Sequence, residues 1–438
     1  MLRELSFGIL SLWVFGQQPD VTELAIASYQ SLQWQDNSLF EIRYQPDSTS
    51  QKIVEQYLAQ LEADGKDPAL QGVLLESAWT TLGEYQGDKP LAAASLTKIA
   101  TTLAALGHWP LTHQFTTKIY TTGMLTDGRL VGDLIVGAGG DPLFVWEEAI
   151  ALGNALNQAG IRQVDGNLII VGDFMMNYLA DPQESGDNLR LALDQRFWDD
   201  TVRATHQQMP NQPPRPQVAI AGKTFIQKNL PQKITPVLEH KSLTLAAILK
   251  QMNLYSNNAV AEAIAHNLGG GQAMGKAIAQ NLQIPPNEIQ LINGSGLGVE
   301  NQISPRATTA MLQAIETKLQ GESFSIFDLF PTVGQDKGGT LKQRTLPPGV
   351  AFKTGTLNQV SALAGVIPTQ EQGNLWFAII NNGTWDIGGY RQQQDQLLQN
   401  LSNRWQLVTP TPITTKNADY FGNPARIHPA LDIPNNSG

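Results

Sequence analysis

The sequence predicts an α+β protein of more than one domain, in which consecutive strands form one sheet against helices and a strand-rich module is inserted between the helical parts. Three features lead there. Residues 350–357, 361–367 and 375–381 are strand-length apolar runs broken by short polar turns, as expected of neighbouring strands. Helical spacing recurs elsewhere: Ile53, Tyr57 and Leu61 before Gly65, Leu96, Ile99, Leu103 and Leu106 after Ser95, and the runs 243–252, 259–267 and 391–401. Between them, residues 115–234 change texture, with short strand-like runs at 118–120, 130–136 and 167–171 separated by glycine turns, and four prolines in seven residues from Pro210 to Pro216.

The remaining elements follow from the same rules. Residues 22–33 and 52–64 read as helices, and 72–75 with 79–85 as a strand pair leading to Ser95, which stands at a helix start. After Val408 a tail containing Pro and Asn is expected to be poorly ordered.

Composition narrows the function classes. With 438 residues and 42% hydrophobic content the chain can bury two or three cores. A net charge of −10 with no basic block argues against nucleic-acid binding, which needs clustered Lys and Arg. The absence of cysteine excludes disulfides, thiolate metal sites and a cysteine nucleophile, and leaves the compartment open. Phe7 to Phe15 is an apolar run far shorter than the roughly 18 residues of a spanning segment, so no transmembrane helix is expected. Behind Arg3, and ahead of Ala25-Ile26-Ala27, that run suits the apolar region of an export signal; Glu4, Asp20 and Glu23 suit a buried N-terminal segment instead.

Three short motifs carry chemistry. Ser95-Leu96-Thr97-Lys98 sets a hydroxyl and an amine one helical turn apart on the same face. A serine hydroxyl needs a base, and a lysine serves once burial and a neighbouring cation lower its pKa. The same spacing also arises from a capping serine near a surface lysine. Tyr255-Ser256-Asn257-Asn258 supplies a hydroxyl that can relay a proton and a carboxamide that can hold a peptide group; a helix N-cap is its plainer reading. Lys353-Thr354-Gly355-Thr356 puts an ammonium inside an apolar strand, where it must face a cleft or an edge, with hydroxyls and a side-chain-free position beside it. Each pattern occurs once, in the order Ser-Xaa-Xaa-Lys, Ser-Xaa-Asn, Lys-Thr-Gly.

In that order, the motifs resemble the class C low-molecular-mass penicillin-binding proteins, the D-alanyl-D-alanine carboxypeptidase/endopeptidase family. The resemblance runs over roughly residues 70–405 and includes Gly139-Gly140-Asp141-Pro142, Gly294-Ser295-Gly296-Leu297 with Ile303-Ser304-Pro305, Gly339-Thr340-Leu341 with Arg344, and Val360 to Gly365. It implies a β-lactamase/D,D-peptidase-like core with a central antiparallel sheet flanked by helices, built from 38–114 and 235–407. An inserted β-rich module would occupy 115–234, an N-terminal extension 1–37 and a tail 408–438.

The resemblance also implies roles. Ser95 would attack the D-Ala-D-Ala carbonyl and form an acyl-enzyme, with Lys98 taking its proton. Ser256 would pass the proton to the leaving D-alanine, and Asn258 would orient Lys98 and the substrate amide. Lys353, Thr354 and Thr356 would anchor the carboxylate beside Gly355, and the N–H groups of Ser95 and Thr356 would form the oxyanion hole. No metal or organic cofactor is implied. The implied partners are peptidoglycan stem peptides and β-lactams, in the periplasm or cell envelope. A β-lactamase of the same fold and a non-catalytic envelope-binding protein are the competing functions. Departures from the family pattern are Ala93-Ala94 before the nucleophile, Asn293 before Gly-Ser-Gly-Leu, and Gly298-Val299 where relatives often carry Ser and Arg, so side-chain recognition on the stem peptide would differ.

Other patterns fail on chemistry. Residues 270–276 approach a phosphate loop but end on Ala277, and Gly222-Lys223-Thr224 fails at Gln217; both read as turns. Ser295 lacks the first glycine of a nucleophile elbow, Glu262 with His266 lacks a second metal-type histidine, and Asp141 with Asp173 reads as a turn and a strand end.

Overall fold

A computed structural model describes residues 47–410 and 420–430. The helix expected at 22–33, the apolar run Phe7 to Phe15 and the extension 1–37 lie outside the described residues. Among those described, no helix is long and apolar enough to cross a membrane.

The central sheet has five antiparallel strands in the order Ala351–Leu357, Val360–Thr369, Gly373–Asn382, Gln71–Glu76, Thr81–Tyr85. Strand alternation divides its side chains between two cores. Ala362, Ala364, Val366, Trp376, Ala378 and Ile380 join one core with Ile99, Leu103, Ala307 and Met311. Leu363, Ile367, Leu375, Phe377 and Ile379 join the other with Val54, Tyr57, Leu61, Tyr390 and Leu398. Helices Thr97–His108 and Pro305–Leu319 therefore cover one face, and Ser48–Ala63 and Ile387–Ser402 the other. Because both faces are covered, every residue of Val360–Thr369 is buried, and between Ser361 and Thr369 the strand reads as a continuous apolar run instead of alternating. Ala351–Leu357 is left at one edge of the sheet, which puts the Lys-Thr-Gly segment beside the helices.

A second sheet of six strands runs Thr224–Gln227, Leu168–Val171, Leu134–Gly137, Thr116–Thr121, Thr235–Lys241, Ile427–Pro429. It has its own core, in which Ile119, Val136 and Ile170 meet Leu152, Leu156 and Leu189. One expectation is filled out here and two are corrected. The inserted module is rich in strands and also carries helices that its glycine turns did not suggest: Trp146–Gln158, Pro182–Ala192 and Asp200–Gln208 pack in it, and several of its strand pairs are parallel. Its sheet includes Thr235–Lys241, beyond the expected limit at 234, because that strand pairs with Thr116–Thr121 as the chain leaves. The tail beyond 408 is ordered in part, since Ile427–Pro429 adds an antiparallel strand to Thr235–Lys241 and Arg426 bonds to buried Glu148.

Two local readings also change. Residues 271–276 are helical, in Gly271–Asn281, with Gly270 at its N-cap. The run at 130–136 splits between two sheets, Arg129–Val131 in a small four-stranded one and Leu134–Gly137 in the larger.

Candidate active site

Ser95 lies in a single 3-10 turn, Ala94–Leu96, that feeds helix Thr97–His108. Ala94 holds a left-handed backbone at φ +49°, a conformation that costs a non-glycine residue on the order of 1 kcal/mol and persists only where neighbours enforce it. Two segments do so. A Cβ at Gly296 would lie 1.8 Å from the Ala94 carbonyl oxygen, and one at Gly355 would lie 2.5 Å from that of Ala93. The glycines of Gly294-Ser295-Gly296 and of Lys-Thr-Gly are thus what lets a loop and a sheet edge close on the serine turn.

Lys98, fully buried, points its amine at three acceptors: Ser95 Oγ at 2.9 Å, Asn258 Oδ1 at 2.7 Å and the Ser295 carbonyl at 2.7 Å. Burial pulls its pKa down to about 7, while the carboxylate of Glu262 pulls the other way. A neutral amine keeps two N–H donors and one lone pair. The Ser295 carbonyl can only accept, as does the Asn258 oxygen turned to the amine, so the lone pair falls to Ser95 and the serine hydroxyl donates to it.

Ser256 and Asn258 arrive through a tight link between two helices. Helix Leu245–Tyr255 ends at Ser256 in a left-handed turn, φ +53°, and Asn257 caps the next helix, Asn258–Asn267, by accepting from the Val260 N–H at 3.0 Å. The cap is Asn257, which frees Ser256 and Asn258 for other partners. The Lys353 amine donates to Ser256 Oγ and to the Thr354 carbonyl, each at 2.8 Å. Lys353 is fully buried, and burial first and the Lys98 cation second push its pKa well below the usual lysine range. Among the described residues neither lysine has a carboxylate within ion-pair distance. Thr354 is half-buried and Thr356 exposed, with Thr356 Oγ1 accepting from Arg391 Nη2 at 3.1 Å.

All eight site residues expected from the motifs, Ser95, Lys98, Ser256, Asn258, Lys353, Thr354, Gly355 and Thr356, lie in or beside this cleft. The accessory strings buttress it. Thr340 hydrogen-bonds the Leu254 carbonyl just before Ser256, and Ser304 caps helix Pro305–Leu319. Sequence reasoning missed Glu262. It sits four residues after Asn258 on the same helix face and accepts the N–H groups of Gly294 at 3.1 Å and Ser295 at 2.9 Å, fixing the loop whose carbonyl holds Lys98. That spacing was the available signal. His266 is exposed, 3.6 Å from exposed Asp173, whereas Asp141 is buried and accepts from the Leu143 N–H at 2.8 Å, so the two aspartates form no pair.

The chain belongs to the D-Ala-D-Ala carboxypeptidase 3 (S13) family, whose model matches residues 51–177 and 214–403. It is 30% identical over 172 residues to carboxypeptidase DacB of Mycolicibacterium smegmatis, covering 35% of this chain and 37% of that one. It is 23% identical over 399 residues to D-alanyl-D-alanine carboxypeptidase DacB of Haemophilus influenzae, covering 69% and 82%. The matches to the first two curated relatives span about a third of their length, 37% and 30%. In fold, it is similar to the penicillin G-acylated Bd3459 predatory endopeptidase of Bdellovibrio bacteriovorus, solved with immunity protein Bd3460, at TM-score 0.70 and 22% identity, covering 82% of this chain and 99% of that one.

Proposed function

We propose that this protein is a serine-type D-Ala-D-Ala carboxypeptidase of the cell envelope that cleaves peptidoglycan stem peptides through an acyl-enzyme on Ser95 and is acylated there by β-lactams. The observation that carries the reading is the fully buried Lys98 amine, 2.9 Å from Ser95 Oγ, with acceptors on its other sides. Cross-links between stem peptides present the same chemistry with a larger leaving amine. Periplasmic placement follows from that substrate.

The contacts support the following steps. Ser95 Oγ bonds to the carbonyl carbon between the two D-alanines as its proton moves to the Lys98 amine. The N–H groups of Ser95 and Thr356 receive the developing oxyanion. Ser256 already accepts from Lys353, so its own O–H is free to donate to the departing nitrogen, and the Lys98 proton refills it. Because Asn258 turns its oxygen to Lys98, its NH₂ points away, suited to the substrate's amide carbonyl. C–N cleavage releases D-alanine and leaves the ester on Ser95. Water then attacks that ester with Lys98 again accepting the proton, and the bond from the carbonyl carbon to Oγ breaks as Ser95 takes that proton back, releasing the shortened peptide.

The test is labelling with a fluorescent penicillin. We expect one covalent adduct, mapped to the Ser95 peptide, abolished in Ser95→Ala and reduced about 100-fold or more in Lys353→Ala. An adduct elsewhere, or none on the native chain, refutes the reading.

A further inference from the structure

The terminal carboxylate of such a substrate needs a cation that it can reach. Lys353 is badly placed to meet that charge alone, because its amine is fully buried and already donates to Ser256 Oγ and the Thr354 carbonyl, both at 2.8 Å. Four residues further along helix Ile387–Ser402 from its start stands Arg391, only partly buried, whose Nη2 donates to Thr356 Oγ1 at 3.1 Å. Its neighbour one turn on, Asp395, is occupied by Arg344 Nε at 2.8 Å and by the Thr345 N–H at 2.7 Å, and among the described residues Arg391 has no ion-pair partner.

We propose that Arg391 anchors the C-terminal carboxylate of the stem peptide, acting with the Thr356 hydroxyl at the open end of the Lys-Thr-Gly-Thr strand. Thr356 Oγ1 accepts from the guanidinium, so its O–H is left to donate to a carboxylate oxygen. The guanidinium has further N–H donors for the same group, and charge-assisted bonds of this kind are about twice as strong as neutral ones. Lys353 then serves chiefly to hold Ser256, while the substrate's charge is met at the cleft mouth. The inference rests on the function proposed above and adds a specificity residue to it.

The experiment compares diacetyl-L-Lys-D-Ala-D-Ala with its C-terminal amide on the native protein, Arg391→Ala and Arg391→Lys, with Ser95 acylation by fluorescent penicillin as the parallel readout. We expect Arg391→Ala to raise KM for the acid roughly 10- to 100-fold, to raise KM for the amide far less, and so to erase the preference for the acid. Arg391→Lys should recover part of it, with thermal unfolding as native. A native acid-over-amide ratio in Arg391→Ala, with Ser95 still labelled, overturns this inference alone. Absence of Ser95 labelling in the native protein overturns the proposed function and this inference with it.

Discussion

Lys98 and Lys353 in the cleft, and Glu148 with His240 and Arg426 in the inserted module, are equally removed from water but oppositely partnered. Glu148 accepts from His240 Nε2 at 2.8 Å and Arg426 Nη2 at 2.6 Å. Burial alone would raise its pKa, yet the two bases outweigh burial and hold it below the usual value. The two lysines have hydrogen-bond acceptors but, among the described residues, no carboxylate within ion-pair distance, and burial pushes both below the usual lysine range. A compensated buried charge ties elements together, here a helix, the sheet and the tail. An uncompensated one is driven toward its neutral form, which is the form a general base requires. The comparison assigns the first cluster to stability and the second to reactivity.

Lys98→Met should break the comparison most sharply. It removes the base, so Ser95 acylation should fall by about 1,000-fold or more, read by fluorescent penicillin. It also removes a buried amine that, among the described residues, has no ion-pair partner, so the melting temperature should stay equal or rise. A large drop in melting temperature would show that the lysine is structural.

Arg426→Ala should do the reverse. Breaking a buried ion pair from one side costs roughly 3–5 kcal/mol, so chemical denaturation should show a loss of that order, while acylation of folded protein should stay near native. Loss of labelling in the folded variant would mean that the tail strand shapes the cleft.

Glu262→Gln sharpens the reactive side with a smaller effect. The carboxylate raises the Lys98 pKa and orders the Gly294-Ser295 loop. The amide keeps an acceptor oxygen and loses the charge, so the pH at which acylation switches on should move down, with a few-fold change in maximal rate. An unmoved midpoint would contradict a role for Glu262 in setting the base. The charged groups facing Lys98 are Glu262 and Lys353, and only the first changes here.

How far the sequence revealed this depended on how local each constraint was. Strands of the central sheet were legible because each is a short apolar run bounded by turns, and the three motifs because their spacing is itself the chemistry. The helices of the inserted module were not, since glycine turns and short strands dominated its texture; Asp181 and Asp199, which accept from the N–H groups of Glu184 and Val202, cap two of them in a pattern readable only afterwards. The tail strand was hidden because three residues of little β-signature gain their order from a long-range partner, Thr235–Lys241, and from Arg426 reaching Glu148. Arg391 was missed for the same reason, since its contact with Thr356 is announced by no local pattern, whereas Glu262 carried one local signal, its spacing from Asn258, but its role lies in long-range contacts with the Gly294-Ser295 loop.

The most direct test is the pH profile of the second-order rate of Ser95 acylation by benzylpenicillin, read by mass on the Ser95 peptide. Below its pKa Lys98 is an ammonium and cannot take the serine proton; above it the amine is neutral and can. The rate should therefore climb as pH rises through about 7 and then level off. A rate that is flat from pH 5 to 9, on the order of two pH steps either side of that midpoint, would contradict Lys98 as the base.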